Sequence, residues 1–419
     1  MKDQSIIHFL KSNVAKNFLL LFSSSTLAQI IALLFSPFIS RLFTPDNFGM
    51  IGYVASIAGI FTAIGSLTYE KAIVLEKDDK KAQDLQFLSF CSSFIFSIIL
   101  YIIIYFYIKT SFSLSNSHLH LLWIVPIFFL NNFINIIFSV LNRDRQYKNI
   151  AMIQFLRRSG TAIAQLTFGI IGYTTFGLIW GNVFGALFCV IYIFILSSAS
   201  FAKRKYKLED IKHVAKKYIN FPLYTAPQEL INISFAQLPV IILANYYSIT
   251  ILGAYYFAVK IIQLPSTLLG YSIKKIFYKE AADSREKLDD LKALYFNLTT
   301  ILFFIAIIPI IISFFFAPNI FSFVFGKDWL FAGEFARWMT LWFGANFIMI
   351  PSRVLFLVFE KQKLLFKIDL VIGVTRFIIL LIAVNYFSAL TAIATFSVVS
   401  SICFITIIFG WIIFLRNKN

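Results

Sequence analysis

The sequence predicts an all-α polytopic membrane protein, with about twelve transmembrane helices in two six-helix lobes around a central cavity. Three observations predict this class: an apolar composition, apolar segments of bilayer length, and polar residues that follow single faces of those segments. Of the 419 residues, 59% are hydrophobic and only 14% are charged. A helix satisfies its backbone hydrogen bonds within one segment, so a chain this apolar is expected to cross the bilayer as helices.

The predicted helices are apolar segments of about twenty residues, the length that crosses a hydrocarbon core of about 30 Å. The basic start of the chain leads into the first segment without a small-residue cleavage site, so this segment is expected to remain as an anchor. The segments are centred near Leu27, Ala58, Ser97, Phe129, Ala162, Ala186, Phe235, Gln263, Phe304, Gly344, Val374 and Ser400.

Lysine and arginine residues concentrate at both termini and in the loops that follow even-numbered segments. By the positive-inside rule, the termini and these loops of a multi-pass protein are expected to face the cytoplasm. A net charge of +17 could also indicate nucleic-acid binding. Basic residues in membrane loops instead favour contact with anionic lipid headgroups, so membrane lipids are expected partners and nucleic acid is not.

A basic linker divides the chain into two halves of similar size. The predicted organisation is an N-terminal lobe of six helices at residues 1–200, a cytoplasmic linker at 201–218 and a C-terminal lobe of six helices at 219–419. Two halves of this kind are typical of transporters built from internal repeats.

Short likenesses at corresponding positions indicate that the halves are repeats. NFGMIGY at 47–53 corresponds to ILGAYYF at 251–257, and YEKA at 69–72 corresponds to YKEA at 278–281. Both copies begin on the same predicted side of the membrane, so the repeats would be parallel and related by an axis along the membrane normal.

Polar residues on the seventh and eighth segments predict the wall of a hydrophilic cavity. A lone Glu or Lys at the bilayer centre costs about 2.5–3.5 kcal/mol, so such side chains are expected to face protein or water. The alternative is that they pair with one another and hold helices together. The two faces comprise Thr225, Gln228, Glu229, Asn232 and Ala236, then Tyr256, Lys260, Gln263, Thr267 and Tyr271. Four prolines in these helices are candidate hinges, namely Pro222, Pro227, Pro239 and Pro265.

Four other segments carry similar polar faces. In contrast, Gly177, Gly181 and Gly185 form a repeated small-residue pattern that predicts close helix packing rather than a site. The polar faces comprise Ser25, Gln29, Ala32 and Ser36; Asn131, Asn135, Ser139 and Asn142; Gln154, Arg158, Thr161 and Gln165; and Asp369, Gly373 and Arg376.

Motifs of enzymes and of cofactor sites are missing from the sequence. It contains no phosphate-binding glycine loop, no nucleophile elbow and no histidine cluster with metal-ligand spacing. Cys91, Cys189 and Cys403 lie in apolar segments without CxxC spacing, which favours neither a disulfide framework nor a metal site. Because the predicted outer loops are short, an enzyme is not expected, and neither is a cofactor.

Four stretches resemble a known family. They are FSPFISRLFTPDNFG at 35–49, TYEKAIVLEKDDKKA at 68–82, FPLYTAPQELIN at 221–232 and LPSTLLGYSIKKIFYKEA at 264–281. These stretches resemble bacterial Wzx-type polysaccharide flippases of the multidrug/oligosaccharidyl-lipid/polysaccharide exporter superfamily. The resemblance implies that superfamily's fold and the movement of an undecaprenyl-diphosphate-linked sugar unit, of O-antigen or capsule type, from the cytoplasmic to the periplasmic leaflet. It also implies a location in the bacterial inner membrane and a place in polysaccharide biosynthesis beside other assembly proteins.

A path for that cargo needs cations for the diphosphate and amide or hydroxyl partners for the sugars. Counting residues from the helix ends places Arg158, Lys260 and Arg376 near mid-membrane, in a ladder of cations. For either arginine, the alternative is a pair with Asp369 or a helix end. The predicted substrate path comprises Arg41, Glu70, Lys71, Asn135, Gln154, Arg158, Gln228, Glu229, Asn232, Lys260, Gln263, Lys274, Arg337, Arg353 and Arg376.

Two further alternatives concern the cargo and the energy source. A cation-coupled drug exporter of the same superfamily is the second hypothesis, but its cargo is usually cationic or apolar, whereas the predicted path has more cations than acids. Without a nucleotide site, transport is expected to run downhill or to use a proton or monovalent cation gradient. Glu229 is the candidate coupling residue, because removal from water favours the protonated carboxyl group. Its alternative role is an ion pair with Lys260.

Overall fold

The structure, a computed structural model, describes residues 29–110, 116–197, 206–285 and 287–417. In these ranges all regular secondary structure is helical. The centre of the predicted first segment at Leu27, its polar residue Ser25 and the linker residues before Tyr206 lie outside the described residues.

The described helices include long spans and short connecting helices. In chain order they are α1 Gln29–Leu42, α2 Pro45–Thr62, α3 Tyr69–Ile73, α4 Asp79–Thr110, α5 Ile124–Arg143, α6 Tyr147–Ile171, α7 Thr174–Ser197, α8 Leu208–Lys217, α9 Ala226–Tyr246, α10 Ile249–Asp283, α11 Leu288–Phe325, α12 Leu330–Ile348, α13 Ile350–Val358, α14 Gln362–Tyr386 and α15 Ala389–Arg416. Short 3₁₀ helices at Asn116–Trp123 and Lys327–Trp329 and a π-helical turn at Phe221–Thr225 precede α5, α12 and α9.

Eight spans in the described part are long and apolar enough to cross a membrane. Every predicted segment centre from Ala58 onward falls within a helix, and α2, α6 and α14 occupy the positions of three further predicted segments. The prediction of an all-α polytopic membrane protein is therefore confirmed. The chain is a multi-pass membrane protein.

By its internal contacts the chain forms two compact units. In the described part, the first unit contains the residues up to Phe43 and Met50–Gln237, and the second contains Thr44–Gly49 and the residues from Leu238 onward. This division follows compactness, whereas the predicted lobes 1–200 and 219–419 follow the linker and the repeat. The lobes therefore stay a prediction.

The first unit depends on a close contact between α6 and α7. A Cβ atom added at Gly185 would overlap Thr161 Oγ1 and lie 2.7 Å from the Thr161 backbone nitrogen, and one added at Gly181 would overlap Gln165. Only glycine lets the two backbones approach this closely, so the predicted small-residue packing is confirmed. Gln165 Nε2 donates to the Leu178 carbonyl oxygen at 3.1 Å across the same contact. Gln165 therefore belongs to this interface. The sequence had instead suggested that it lies on an open polar face.

The second unit packs α12 against α10, α11 and α15. Residues Thr44–Gly49 belong to this unit because the start of α2 contacts the start of α10: a Cβ atom at Gly253 would overlap the Pro45 carbonyl oxygen. Phe48 also packs edge-on against Phe257 and Trp329, with ring centroids 5.0 and 4.9 Å away. The beginning of the NFGMIGY stretch, up to Gly49, thus packs in one core with its predicted repeat partner ILGAYYF.

The four prolines predicted as hinges have two kinds of position. Pro222 lies in the π-helical turn, and Pro227 lies at the start of α9, which continues that turn without a break. Pro239 and Pro265 lie inside α9 and α10, which continue past them. The hinge role stays a prediction for all four.

Candidate functional site

The short helix α3 is positioned by an unusual turn in the first unit. Leu67 and Thr68 have left-handed backbone conformations, with φ of 53° and 57°, which cost free energy in residues other than glycine. Contacts around them offset this cost: Thr68 Oγ1 donates to the Phe221 carbonyl oxygen at 3.1 Å, and Tyr69 OH donates to the Ala215 carbonyl oxygen at 3.3 Å. The turn therefore fixes the acidic and basic residues of α3 against the segment that leads into α9.

Lys71 and Glu229 form an ion pair between α3 and α9. Lys71 Nζ lies 2.8 Å from Glu229 Oε1, and the two side chains are 42% and 40% exposed. The partner of Glu229 in this pair is Lys71, whereas the alternative predicted from the sequence was Lys260. Because both side chains are only partly buried, the pair contributes only about 0.2–1 kcal/mol to stability. On α3 the neighbouring Glu70 accepts a hydrogen bond from Ser66 Oγ.

Glu76, just after α3, is the buried acid of this region and was missing from the predicted path. Its carboxylate accepts hydrogen bonds from Lys217 Nζ and, at 3.0 Å, from Tyr218 OH. The hydrogen bond from Lys217 lowers the pKa of Glu76 to about 2. Arg143 Nε donates to the Glu76 backbone carbonyl oxygen at 2.9 Å, and its Nη2 reaches Asp79 Oδ1 at 2.7 Å. We call Ser66, Glu70, Lys71, Glu76, Lys217, Tyr218 and Glu229 the first-unit cluster.

Between α5 and α6 a hydrogen bond to a side-chain amide is made by Arg157, the sequence neighbour of the predicted Arg158. Arg157 Nη2 donates to Asn131 Oδ1, whereas Arg158 is exposed. Of the other predicted residues here, Asn135 is exposed and Gln154 is half-buried. Adjacent residues point about 100° apart on a helix, so the RR pair at 157 and 158 left two possible faces.

The predicted polar faces of α9 and α10 are largely accessible. Gln228 and Asn232 are exposed on α9, as is Gln263 on α10. Lys260 is half-buried, and its ammonium lies 5.8 Å from the centroid of the Phe48 ring. Farther along, Lys274 is exposed, while the side chain of Tyr271 is outside the described part of the chain.

Two of the arginines predicted in the second unit form ion pairs. Arg353 Nη2 donates to Asp369 Oδ1 at 3.1 Å, and Arg337 Nη1 lies 3.2 Å from Glu334 Oε2. The sequence offered Asp369 as an alternative partner of Arg158 or Arg376, and the ion pair that Asp369 forms in the described residues is with Arg353. Arg41, predicted with them but part of the first unit, is exposed.

Arg376 packs against aromatic rings. Its guanidinium carbon lies 4.6 Å from the Phe396 ring centroid, 4.8 Å from Trp342 and 5.6 Å from Phe404. We call these four residues the arginine box. Among the described residues no carboxylate pairs with Arg376, and its buried Nε has no hydrogen-bond partner there. Attraction to the rings orients the guanidinium and leaves its positive charge uncompensated.

Comparison with solved structures shows a shared fold. The chain is similar to the lipid II flippase MurJ in an inward closed conformation, with a TM-score of 0.74 and 16% identity over 93% of this chain and 87% of that one. It is also similar to an inward-facing multidrug resistance MATE family transporter of the MOP superfamily, with a TM-score of 0.68 and 12% identity over 95% and 96%. A third likeness is to a MOP superfamily transporter from Pyrococcus furiosus, with a TM-score of 0.60 and 12% identity over 98% of both chains.

Comparison of the sequence with family models and with curated proteins gives two results. No curated protein matches the chain. The model of the family described as polysaccharide biosynthesis protein matches residues 38–334, which include α2 to α11 and the whole first-unit cluster. The chain therefore belongs to the polysaccharide biosynthesis protein family and has the fold of the multidrug/oligosaccharidyl-lipid/polysaccharide exporter superfamily.

Proposed function

We propose that the protein is a flippase that moves a lipid-linked oligosaccharide, carried on undecaprenyl diphosphate, from the cytoplasmic to the periplasmic leaflet of the bacterial inner membrane. The observation that carries the proposal is Arg376, whose charge is held by aromatic rings and is not neutralised by any described carboxylate. An uncompensated guanidinium in a membrane protein favours an anionic cargo, and its planar fork fits phosphate oxygens.

The accessible face of α9 would serve the sugar part of the cargo. Gln228 and Asn232 present amide groups next to the Lys71–Glu229 pair, and amides donate to and accept from sugar hydroxyls. Because Lys71 and Glu229 are half exposed, their pair can open at small cost, and Lys71 is then available to a phosphate. The lipid tail would stay in the bilayer during this exchange.

The proposed role is transport and not catalysis. Family membership and the fold support a transporter or flippase, and the sequence has no nucleophile elbow or phosphate-binding glycine loop. In this proposal energy comes from a proton or monovalent cation gradient, with Glu229 as the coupling residue. Glu229→Gln tests the coupling directly: transport that keeps its full rate and its full dependence on the gradient would exclude this role.

The proposal is tested by complementation of a bacterial strain that lacks its own oligosaccharide flippase, with surface polysaccharide as the readout. We expect the wild-type chain to restore the polysaccharide and Arg376→Gln to fail at equal membrane abundance. Lys363→Gln, which removes an exposed charge outside the arginine box, is the matched control and should behave as wild type.

The second function, drug export, has support from the likeness to multidrug transporters. The same strains separate the two hypotheses when their resistance to cationic dyes is measured. Dye resistance without restored polysaccharide would replace the flippase proposal with the exporter.

A further inference from the structure

The second unit contains an apolar groove that the substrate path does not use. It lies between α14 and α15, ends at α13, and has a volume of about 620 Å³. Its walls include Ile368, Val371 and Ile372 from α14 and Ile407 and Trp411 from α15. The groove is therefore shaped by two membrane helices and lined mainly by hydrocarbon.

Two lysines lie at one end of this groove. Lys361 Nζ is 4.1 Å from the centroid of the Phe414 ring and 5.9 Å from that of Trp411, which holds the ammonium over the groove wall. Lys367 lines the groove from α14. An apolar trough with cations at one end is complementary to an anionic amphiphile.

The neighbouring acids have other partners. Glu360 pairs with Arg285 at 2.9 Å, and Asp369 pairs with Arg353 at 3.1 Å. In the described part of the chain, no carboxylate forms an ion pair with either groove lysine. The charge at this end of the groove is therefore positive and available to an anion from outside the protein.

The size of the groove fits lipid tails from one leaflet. From Lys361 to Thr375 the wall of α14 rises about 20 Å at 1.5 Å per residue. One leaflet of hydrocarbon is about 15 Å deep. The loop that holds Lys361 is predicted to face the cytoplasm, where the leaflet carries anionic lipids.

We propose that the groove between α14 and α15 is a binding site for an anionic phospholipid of the bilayer, with its phosphate at Lys361 and Lys367 and its acyl chains along Ile368, Ile372 and Trp411. The proposal goes beyond the flippase function and does not depend on it. Gly410 supports an open trough, because a Cβ atom added there meets nothing within 4 Å. A larger side chain at 410 is therefore expected to extend into the groove.

The experiment uses Trp411 as a reporter in the wall of the groove. The purified full chain is placed in nanodiscs of phosphatidylcholine, and phosphatidylglycerol with brominated acyl chains is added in increasing mole fraction. Bromine quenches tryptophan fluorescence on contact. The sequence contains six tryptophans, and subtraction of the Trp411→Phe signal isolates the fluorescence of Trp411 from that of the other five. We expect saturable quenching of Trp411 by brominated phosphatidylglycerol and much weaker quenching by brominated phosphatidylcholine.

Substitutions at the lysines separate the site from general surface charge. At about 1 kcal/mol per basic residue, Lys361→Gln or Lys367→Gln should weaken apparent binding about fivefold and the double variant about thirtyfold. Lys363→Gln removes the same charge from an exposed position that does not line the groove, and binding should stay as in wild type. Gly410→Leu should abolish the quenching, and gel filtration checks that each variant folds.

Three results would overturn the proposal. Equal quenching by the two lipids would mean that the groove accepts any acyl chain. A loss in Lys363→Gln equal to that in the groove variants would assign the effect to surface potential. If undecaprenyl phosphate displaced the brominated lipid at a lower mole fraction than unlabelled phosphatidylglycerol does, the groove would instead be a binding site for a prenyl chain. If Gly410→Leu fails to fold, the lysine series with its control still decides.

Discussion

The first-unit cluster and the arginine box hold cations in opposite ways. In the first, Lys71 and Lys217 pair with Glu229 and Glu76, so the charges are largely cancelled. In the second, Arg376 is held by the rings of Trp342, Phe396 and Phe404, which fix its position without cancelling its charge. The comparison teaches that the cations predicted along a path from sequence are of two kinds: those that already have a carboxylate partner, which must open before they meet a cargo, and those whose charge has no such partner.

The largest effect is expected at the arginine box. Arg376→Gln removes the uncompensated charge, so we expect surface polysaccharide to be lost in the complementation assay. Arg376→Lys keeps the charge but loses the planar fork and its stacking, worth about 2 kcal/mol in a desolvated site, so transport should fall about thirtyfold. Equal transport by the lysine variant and wild type would show that the planar geometry is not needed.

The next largest effect is expected at the close contact between α6 and α7, the helices that carry part of the polar residues of the first unit. Gly185→Ala should move α6 away from α7, because the added carbon overlaps Thr161, and overpacking of this kind costs about 1–3 kcal/mol. We expect a lower melting temperature in detergent and less folded protein by gel filtration. Gly410→Ala is the matched control, since a Cβ atom there is in open space. Identical melting of the two variants would contradict the close packing.

The ion pair between α3 and α9 should affect transport more than stability. Lys71→Gln removes a cation that we assign to the phosphate, so transport should fall several-fold while the melting temperature changes little, as the half-exposed pair contributes under about 1 kcal/mol. The reversed pair, Lys71→Glu with Glu229→Lys, restores the contact but moves the cation to α9. Full transport by Lys71→Gln would make the pair purely structural.

The smallest effect is a pH dependence that belongs to the first-unit cluster. The pKa of Glu76 is lowered in the folded protein to about 2, so its stabilising contribution is complete above the ordinary value near 4.5 and is lost as pH falls toward 2. We expect the wild-type melting temperature to fall more than that of Glu76→Gln between pH 6 and pH 3. Parallel curves of melting temperature against pH for the two proteins would show that Glu76 does not cause the acid sensitivity.

Much of the fold was predictable because its signals are local. Apolar length locates the helices, and small residues four apart identify the α6–α7 contact at Gly181 and Gly185. The partners of charged groups were less accessible to sequence reasoning. Arg157 and Arg158 are adjacent in sequence and differ only in the direction in which they leave the helix. For Asp369, both Arg353 and Arg376 were plausible ion-pair partners.

The missed residues lie where chain segments distant in sequence meet. Glu76 was visible in the TYEKAIVLEK stretch, yet its role depends on Lys217 and Tyr218, which follow about 140 residues later. The aromatic partners of Arg376 come from α12 and α15, and aromatic residues are so frequent in this chain, at 18%, that none of them stands out in the sequence. Such contacts are set by tertiary packing, which periodicity alone does not encode.

The central claim, that an uncompensated arginine serves the transport of an anionic lipid-linked glycan, is tested most directly in proteoliposomes. The purified chain is reconstituted with a fluorescently labelled undecaprenyl-diphosphate glycan, and appearance of the label in the opposite leaflet is followed with a membrane-impermeant quencher. We predict that wild type and Lys363→Gln accelerate the exchange over protein-free vesicles, whereas Arg376→Gln does not. Exchange by Arg376→Gln at the wild-type rate, or no acceleration by wild type, would contradict the account.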